Sequence, residues 1–161
     1  MSFNILVQEK LPIYAKAIPF SVHHINFLKL DQYQAESINN MPGYKDWFLA
    51  QSKLGYSSTI TVDDKPTLCF GFIPLWQGVA EAWLLVDHID ISAVKVPFLR
   101  ITKHIFVGIS AVMGLHRVQM YVHQDNERAI KYAEFAKFKR EGLLMNYSPI
   151  KENYYCYGRI Y

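Results

Sequence analysis

The segment from His116 to Gly142 constrains the fold most, because its periodicity changes once, in the middle. Polar and apolar residues alternate from His116 to Val122, which indicates a strand. From Asn126 onward the apolar positions follow helical spacing, and either Asp125 or Asn126 is placed to cap the first turn. The segment therefore predicts a strand that leads directly into a helix.

The rest of the chain divides into short periodic segments, with no internal repeat, low-complexity tract or linker. We predict a strand over Pro19–Asn26, helices over Phe27–Ile38 and Tyr44–Leu54, strands over Ser57–Val62, Thr67–Leu75 and Val79–Val86, and a helix over Pro97–Met113. A hairpin after Gly142 completes the order βααβββαβαββ. This order predicts an α+β fold, and the length of the chain predicts a single domain that covers residues 1–161.

Composition excludes several classes of protein. The chain has 161 residues, enough for a core without disulfides, and Cys69 and Cys156 are expected to be reduced core residues rather than a pair. The net charge of +3 is spread along the chain, which argues against nucleic-acid binding. Ile101–Leu115 is apolar but too short to span a bilayer. The N-terminus lacks the pattern of a signal peptide, so a cytoplasmic protein is expected.

The strand and helix after His116 resemble the C-terminal half of the GNAT acyltransferases, which carry Asn-x-x-Ala at the start of this helix. The residues that match are Asn126, Ala129, Ile130, Glu134, Phe138, Glu141 and Gly142. The chain departs from the family at Ala133, where a tyrosine is usual, and at Lys137, where a glycine is usual. The resemblance implies a GNAT-like fold, with a mixed central sheet of about seven strands and helices on both faces.

The resemblance also implies a site for acetyl-CoA as co-substrate, between two central strands that part. Backbone groups of Leu84, Leu85 and Val86 would pair with the pantetheine arm of the CoA thioester, and Asn126 is a further cofactor-binding candidate. The family's glycine-rich phosphate loop is missing, because Pro97 and neighbouring bulky residues stand in its place.

Two basic residues are candidates to replace the missing loop. Lys95 and Arg100 can supply charge to phosphates through their side chains, although a solvated helix face explains them equally well. The run from Pro97 to Arg100 also resembles a segment of GNAT-like proteins from short-tailed phages, which keep the fold and lack the glycine loop. The departures therefore also fit a phage-encoded subgroup.

For an amine that attacks a thioester, the chemistry needs a base and an acid. Glu81, on a central strand, is the candidate base, and an outward-facing strand residue is the alternative. Tyr132 and Tyr121 are the candidate acids in place of the missing family tyrosine. No His, Cys, Asp or Glu spacing predicts a metal site.

Two functions follow from the sequence. The first is an acyl-CoA-dependent N-acyltransferase whose acceptor is a small-molecule or protein amine. The second is a non-catalytic GNAT-fold protein, structural or regulatory, that binds a protein partner. The tyrosine-rich end, Asn153–Tyr161, is expected to pack the last hairpin or the edge of a homodimer, with base stacking as the alternative.

Overall fold

The computed structural model describes residues 3–9 and 11–161 of the chain. The helices are α1 (Phe3–Gln8), α2 (Gln32–Asn39), α3 (Tyr44–Lys53), α4 (Lys95–Met113) and α5 (Glu127–Phe135). The strands are β1 (Ala15–Pro19), β2 (Ser57–Val62), β3 (Lys65–Trp76), β4 (Val79–Val86), β5 (Arg117–His123), β6 (Lys139–Leu144) and β7 (Tyr154–Ile160). Two 3-10 helices, Val22–Phe27 and Asp90–Ala93, complete the described elements.

The strands form one mixed sheet in the order β1-β2-β3-β4-β5-β7-β6. Strands β1 to β4 pair antiparallel, and so do β5, β7 and β6. The two halves meet where β4 runs parallel to β5, and there the register covers only Val79 to Glu81. The predicted α+β class and seven-stranded mixed sheet are confirmed.

The two faces of the sheet carry separate apolar clusters. One includes α1, α4 and α5 and contains Ala80, Ala82, Leu84 and Val86 of β4. The other involves α2, α3 and the first 3-10 helix, and it contains Trp83 and Leu85. Side chains alternate between the faces of a strand. The side chain of Glu81 therefore lies on the α2 and α3 face.

The start of the chain differs from the prediction in three places. The strand expected over Pro19–Asn26 lies earlier, at Ala15–Pro19, because a reciprocal cap between Ser21 and His24 folds the next residues into a 3-10 helix. The helix expected from Phe27 begins only at Gln32, because Asp31 caps it by accepting a hydrogen bond from the Gln34 N–H at 2.9 Å. Helix α1 was not predicted.

Helix α4 is longer than the apolar segment Ile101–Leu115, which was predicted from the sequence to be too short to span a bilayer. It has 19 residues, and by length and composition alone it is the one described helix that meets the requirement for a membrane span. Its buried side chains are Phe98, Ile101, Thr102, Ile105, Phe106, Ile109 and Ser110. This side packs against the sheet, whereas Val96, Val107 and Val112 are exposed.

Candidate functional site

Strands β4 and β5 part after the pair formed by Glu81 and Gln119, which is the last in their register. The Asp87 N–H bonds to the Thr67 carbonyl on β3 at 2.9 Å. Because backbone groups of successive residues point to opposite sides of a strand, Leu84 and Val86 direct theirs toward β5. The Leu84 carbonyl and the Val86 N–H, called here the open edge, therefore have no strand beside them.

The side chain of Gln34, on α2, pairs with both groups of the open edge. Its Nε2 donates to the Leu84 carbonyl at 2.9 Å, and its Oε1 accepts from the Val86 N–H at 3.3 Å. One amide thus bonds two groups that lie two residues apart on one strand, as a residue of a neighbouring parallel strand does. Leu85 lies between Leu84 and Val86, so by the same alternation its backbone groups are directed toward β3 and away from the open edge, contrary to the prediction.

A buried carboxylate organises the loop between β4 and α4. The Asp87 side chain accepts hydrogen bonds from the N–H groups of Ile89 at 2.9 Å, Asp90 at 2.8 Å and Lys29 at 3.0 Å. Burial by itself raises the pKa of Asp87, but these three donors and the charge of Lys65 together lower it. Two N–H groups of the loop are consequently paired with an internal anion.

Helix α4 begins just after this loop and exposes its basic residues. Lys95 is its first residue, and Lys95 and Arg100 both have exposed side chains. Pro97 is the third residue of the helix, where no intrahelical hydrogen bond is lost because the first turn has no carbonyl partners. Among the described residues, neither Lys95 nor Arg100 takes part in an ion pair.

The Glu81 side chain lies where β4 and β5 begin to part. Burial raises the pKa of its carboxyl group above the ordinary range. No ion pair to Glu81 is present among residues 3–9 and 11–161. A carboxylate with a raised pKa and no ion-pair partner accepts a proton more readily than an ordinary glutamate does.

Two tyrosines lie close enough to Glu81 for its charge to affect them. Tyr121, on β5, stacks on Tyr147 with ring centroids 5.0 Å apart. Burial first, and then the charge of Glu81, raise the pKa of Tyr121 and raise that of Tyr147 to about 12. The Tyr121 oxygen accepts from Gln119 Nε2 at 2.8 Å, so its own proton stays available for donation.

The other two side chains predicted for the site lie elsewhere or have another partner. Tyr132 packs within the opposite cluster, stacked on Phe98 at 5.9 Å, and burial raises its pKa to about 12. Its hydroxyl contacts Thr102 Oγ1 at 3.4 Å. Asn126 caps α5, because its Oδ1 accepts from the Ala129 N–H at 3.1 Å. The structure thus groups Glu81 with Tyr121 rather than with Tyr132.

Comparison with solved structures identifies this architecture. The chain is similar to Ard1 from Thermoplasma volcanium, with a TM-score of 0.72, 16% identity, and coverage of 92% of this chain and 98% of that one. The chain has a GNAT fold. An acetyltransferase of the GNAT family from Bacillus anthracis matches with a TM-score of 0.64 and 10% identity, over 91% of this chain and 95% of that one.

A third similar structure was solved with a ligand related to CoA. It is Mycobacterium smegmatis RimJ in complex with CoA-disulfide, with a TM-score of 0.64, 15% identity, and coverage of 91% of this chain and 81% of that one. No protein-family model and no curated protein sequence matches the chain. At these identities the comparisons establish the GNAT fold.

The two ends of the site differ in how well they fit a CoA molecule. The open edge offers one acceptor and one donor, at Leu84 and Val86, to an extended arm that contains amides. The loop after β4 uses two of its N–H groups on Asp87, so a diphosphate would depend on Lys95 and Arg100. The residues therefore fit the pantetheine arm closely and the diphosphate only through side chains.

Sequence reasoning missed Gln34 and Asp87. The Gln34 side chain bonds to residues 50 and 52 positions away in the sequence, and the Asp87 side chain bonds to Lys29, 58 positions away. No periodicity or spacing signals contacts of this kind. Within the described part of the chain, no three His, Cys, Asp or Glu side chains form a group that could hold a metal ion.

Proposed function

We propose that the chain is an acyl-CoA-dependent N-acyltransferase, with acetyl-CoA as the probe to test first. The observation that carries the proposal is the parting of β4 from β5, which leaves the Leu84 carbonyl and the Val86 N–H facing the gap. An extended chain that contains amides can pair with such an edge as an added strand does. When bound, an acyl-CoA supplies the activated acyl group.

In this proposal, Glu81 holds the proton that the acceptor gives up. An alkylammonium group must lose a proton before its nitrogen can attack, and burial raises the pKa of Glu81, which makes its carboxylate a stronger base. Tyr121 carries a hydroxyl proton on the same face of the sheet and can donate it to a departing thiolate. An amine acceptor, either a small molecule or a protein, and a cytoplasmic location belong to this proposal.

Calorimetry with acetyl-CoA and CoA tests the binding part of the proposal. We expect micromolar binding to the wild-type chain, weakened in Lys95→Ala and Arg100→Ala because these variants remove the charge available to phosphates. An absence of binding at millimolar ligand would contradict the acyltransferase proposal.

The chemical part is tested by the release of free CoA thiol in the presence of a panel of amines. Glu81→Gln should lower the transfer rate about a hundredfold, because general bases commonly contribute this much or more. The affinity for acetyl-CoA should stay within about twofold, since the substitution removes a charge and changes little in size. Equal rates for the variant and the wild type would exclude Glu81 as the base.

One observation favours a second candidate, a GNAT-fold protein without catalysis that acts by binding a protein partner, as in the phage-encoded subgroup. Asp87 already pairs with the N–H groups of Ile89 and Asp90 in the loop after β4. A negative carboxylate there opposes a diphosphate at the same place. If acetyl-CoA fails to bind, this candidate becomes the preferred one.

A further inference from the structure

We propose that α2 is a displaceable plug of the site and that the Gln34 side chain is an internal substitute for an amide of the ligand. This inference rests on the proposed function, since it assigns the open edge to an amide-containing arm. Gln34 provides one donor and one acceptor to the open edge, to Leu84 and Val86 respectively. A ligand amide that approaches this edge must break both bonds.

Helix α2 contacts both sides of the parting strands. Gln34 bonds to β4, and the neighbouring Tyr33 lies on His123 at the end of β5, with ring centroids 4.6 Å apart. His123 is held in place by Glu152, which lies 3.3 Å from its Nε2, and its Nδ1 accepts from the Asp125 N–H at 3.1 Å. Adjacent residues of one helix therefore contact the two strands between which the ligand would lie.

Helix α2 buries little of its own side-chain surface. It has eight residues, and Ile38 is its one buried residue. The helix is followed by Gly43, whose φ of +67° favours a glycine and marks a sharp turn before α3. Segments with few buried apolar contacts open at a lower free-energy cost than the core does.

The exchange is balanced in hydrogen bonds. A ligand amide restores at Leu84 and Val86 the two bonds that Gln34 gives up, and the released Gln34 amide is then solvated. The apparent affinity for the ligand is reduced by the fraction of molecules in which the edge is free. Removing the amide of Gln34 should therefore tighten binding, by about tenfold if the edge is paired in about nine molecules of ten.

The test compares wild type, Gln34→Ala and Gln32→Ala in binding of CoA and of pantetheine, measured by calorimetry and by the Val86 amide resonance. Gln32 is the matched control, because it lies on the same helix and its side chain is exposed. We expect Gln34→Ala to bind both molecules about tenfold more tightly than wild type and Gln32→Ala to behave as wild type.

The remaining outcomes distinguish failure of the plug hypothesis from failure of the proposed acyltransferase function. CoA binding of equal strength in wild type and Gln34→Ala, or weaker binding in Gln34→Ala, overturns the plug and leaves the acyltransferase proposal standing. Pantetheine binding that tightens in Gln34→Ala, with no CoA binding in any variant, supports the plug and contradicts the acyltransferase. No binding of either molecule to any variant overturns both.

Discussion

The open edge of β4 and the loop that follows it are both occupied by side chains of the protein itself, but in different ways. Gln34 is a neutral, half-buried side chain on a surface helix, and it makes two bonds to the edge. Asp87 is fully buried and charged, and it accepts three backbone N–H bonds.

The difference indicates which half of the site can adapt to a ligand. When a ligand amide replaces the Gln34 amide, two neutral hydrogen bonds are exchanged for two similar ones, so the free energy of the protein changes little. Moving the buried Asp87 carboxylate would instead leave its three N–H donors unpaired. The edge can therefore be vacated and the loop cannot. Any ligand must accept the loop as it is and obtain its phosphate contacts from side chains nearby.

The largest effect is expected from Asp87→Ala. The substitution removes the acceptor of three partly buried hydrogen bonds from backbone N–H groups, so the free energy of unfolding should fall by about 3 kcal/mol. Urea denaturation measures this. Asp90→Ala is the control, because it removes only an exposed ion pair with Lys65 and should cost much less. Similar losses in the two variants would show that Asp87 does not organise the loop.

The same comparison predicts how stability depends on pH. The pKa of Asp87 is lower in the folded state than its ordinary value, so the folded chain binds fewer protons between the two values. The stability that Asp87 contributes is present above the ordinary value and is lost as the pH falls through the lowered pKa. The melting temperature of the wild type should fall as the solution is acidified, and that of Asp87→Asn should fall less steeply. An equally steep fall in the two proteins would contradict this prediction.

A smaller effect is expected from the basic residues of α4. Lys95→Ala and Arg100→Ala should each weaken CoA binding about tenfold at low salt, and the loss should shrink as ionic strength rises. Lys131→Ala is the control, since it removes an equal charge from the exposed surface of α5. A loss of the same size in Lys131→Ala would point to net charge rather than to a phosphate site.

The smallest effect is expected for the stability of Gln34→Ala. The variant loses two hydrogen bonds at a half-buried edge that water can reach, so the free energy of unfolding should fall by about 1 kcal/mol. Gln32→Ala should show no loss. If Gln34→Ala cost as much as Asp87→Ala, the two halves of the site would be equally rigid and the contrast between them would fail.

The sequence predicted most of the elements because their signals are local. The strand expected over Thr67–Leu75 is observed as Lys65–Trp76, and the helix expected over Pro97–Met113 as Lys95–Met113. The first strand was misplaced because the cap formed by Ser21 and His24 competes with an apolar pattern that also fits a strand.

The candidate site was predictable only in part. Leu84, Val86 and Glu81 could be selected because the resemblance to the GNAT acyltransferases implies which two strands part. The roles of Gln34 and Asp87 depend on tertiary contacts over about fifty residues, which no local pattern encodes. The departure at Ala133 was visible in the sequence. The register of β4 and β5 was needed to place Tyr121 two residues beyond Gln119, the partner of Glu81, and so on the same face of the sheet as Glu81.

The short parallel joint between β4 and β5 also has a consequence for folding. The turns between β2 and β3 and between β3 and β4 are tight, so these hairpins close with little loss of chain entropy. Pairing of Val79–Glu81 on β4 with β5 closes a much longer loop, which includes all of α4. We therefore expect the antiparallel strands β2, β3 and β4 to be ordered early and the pairing of β4 with β5 to form later.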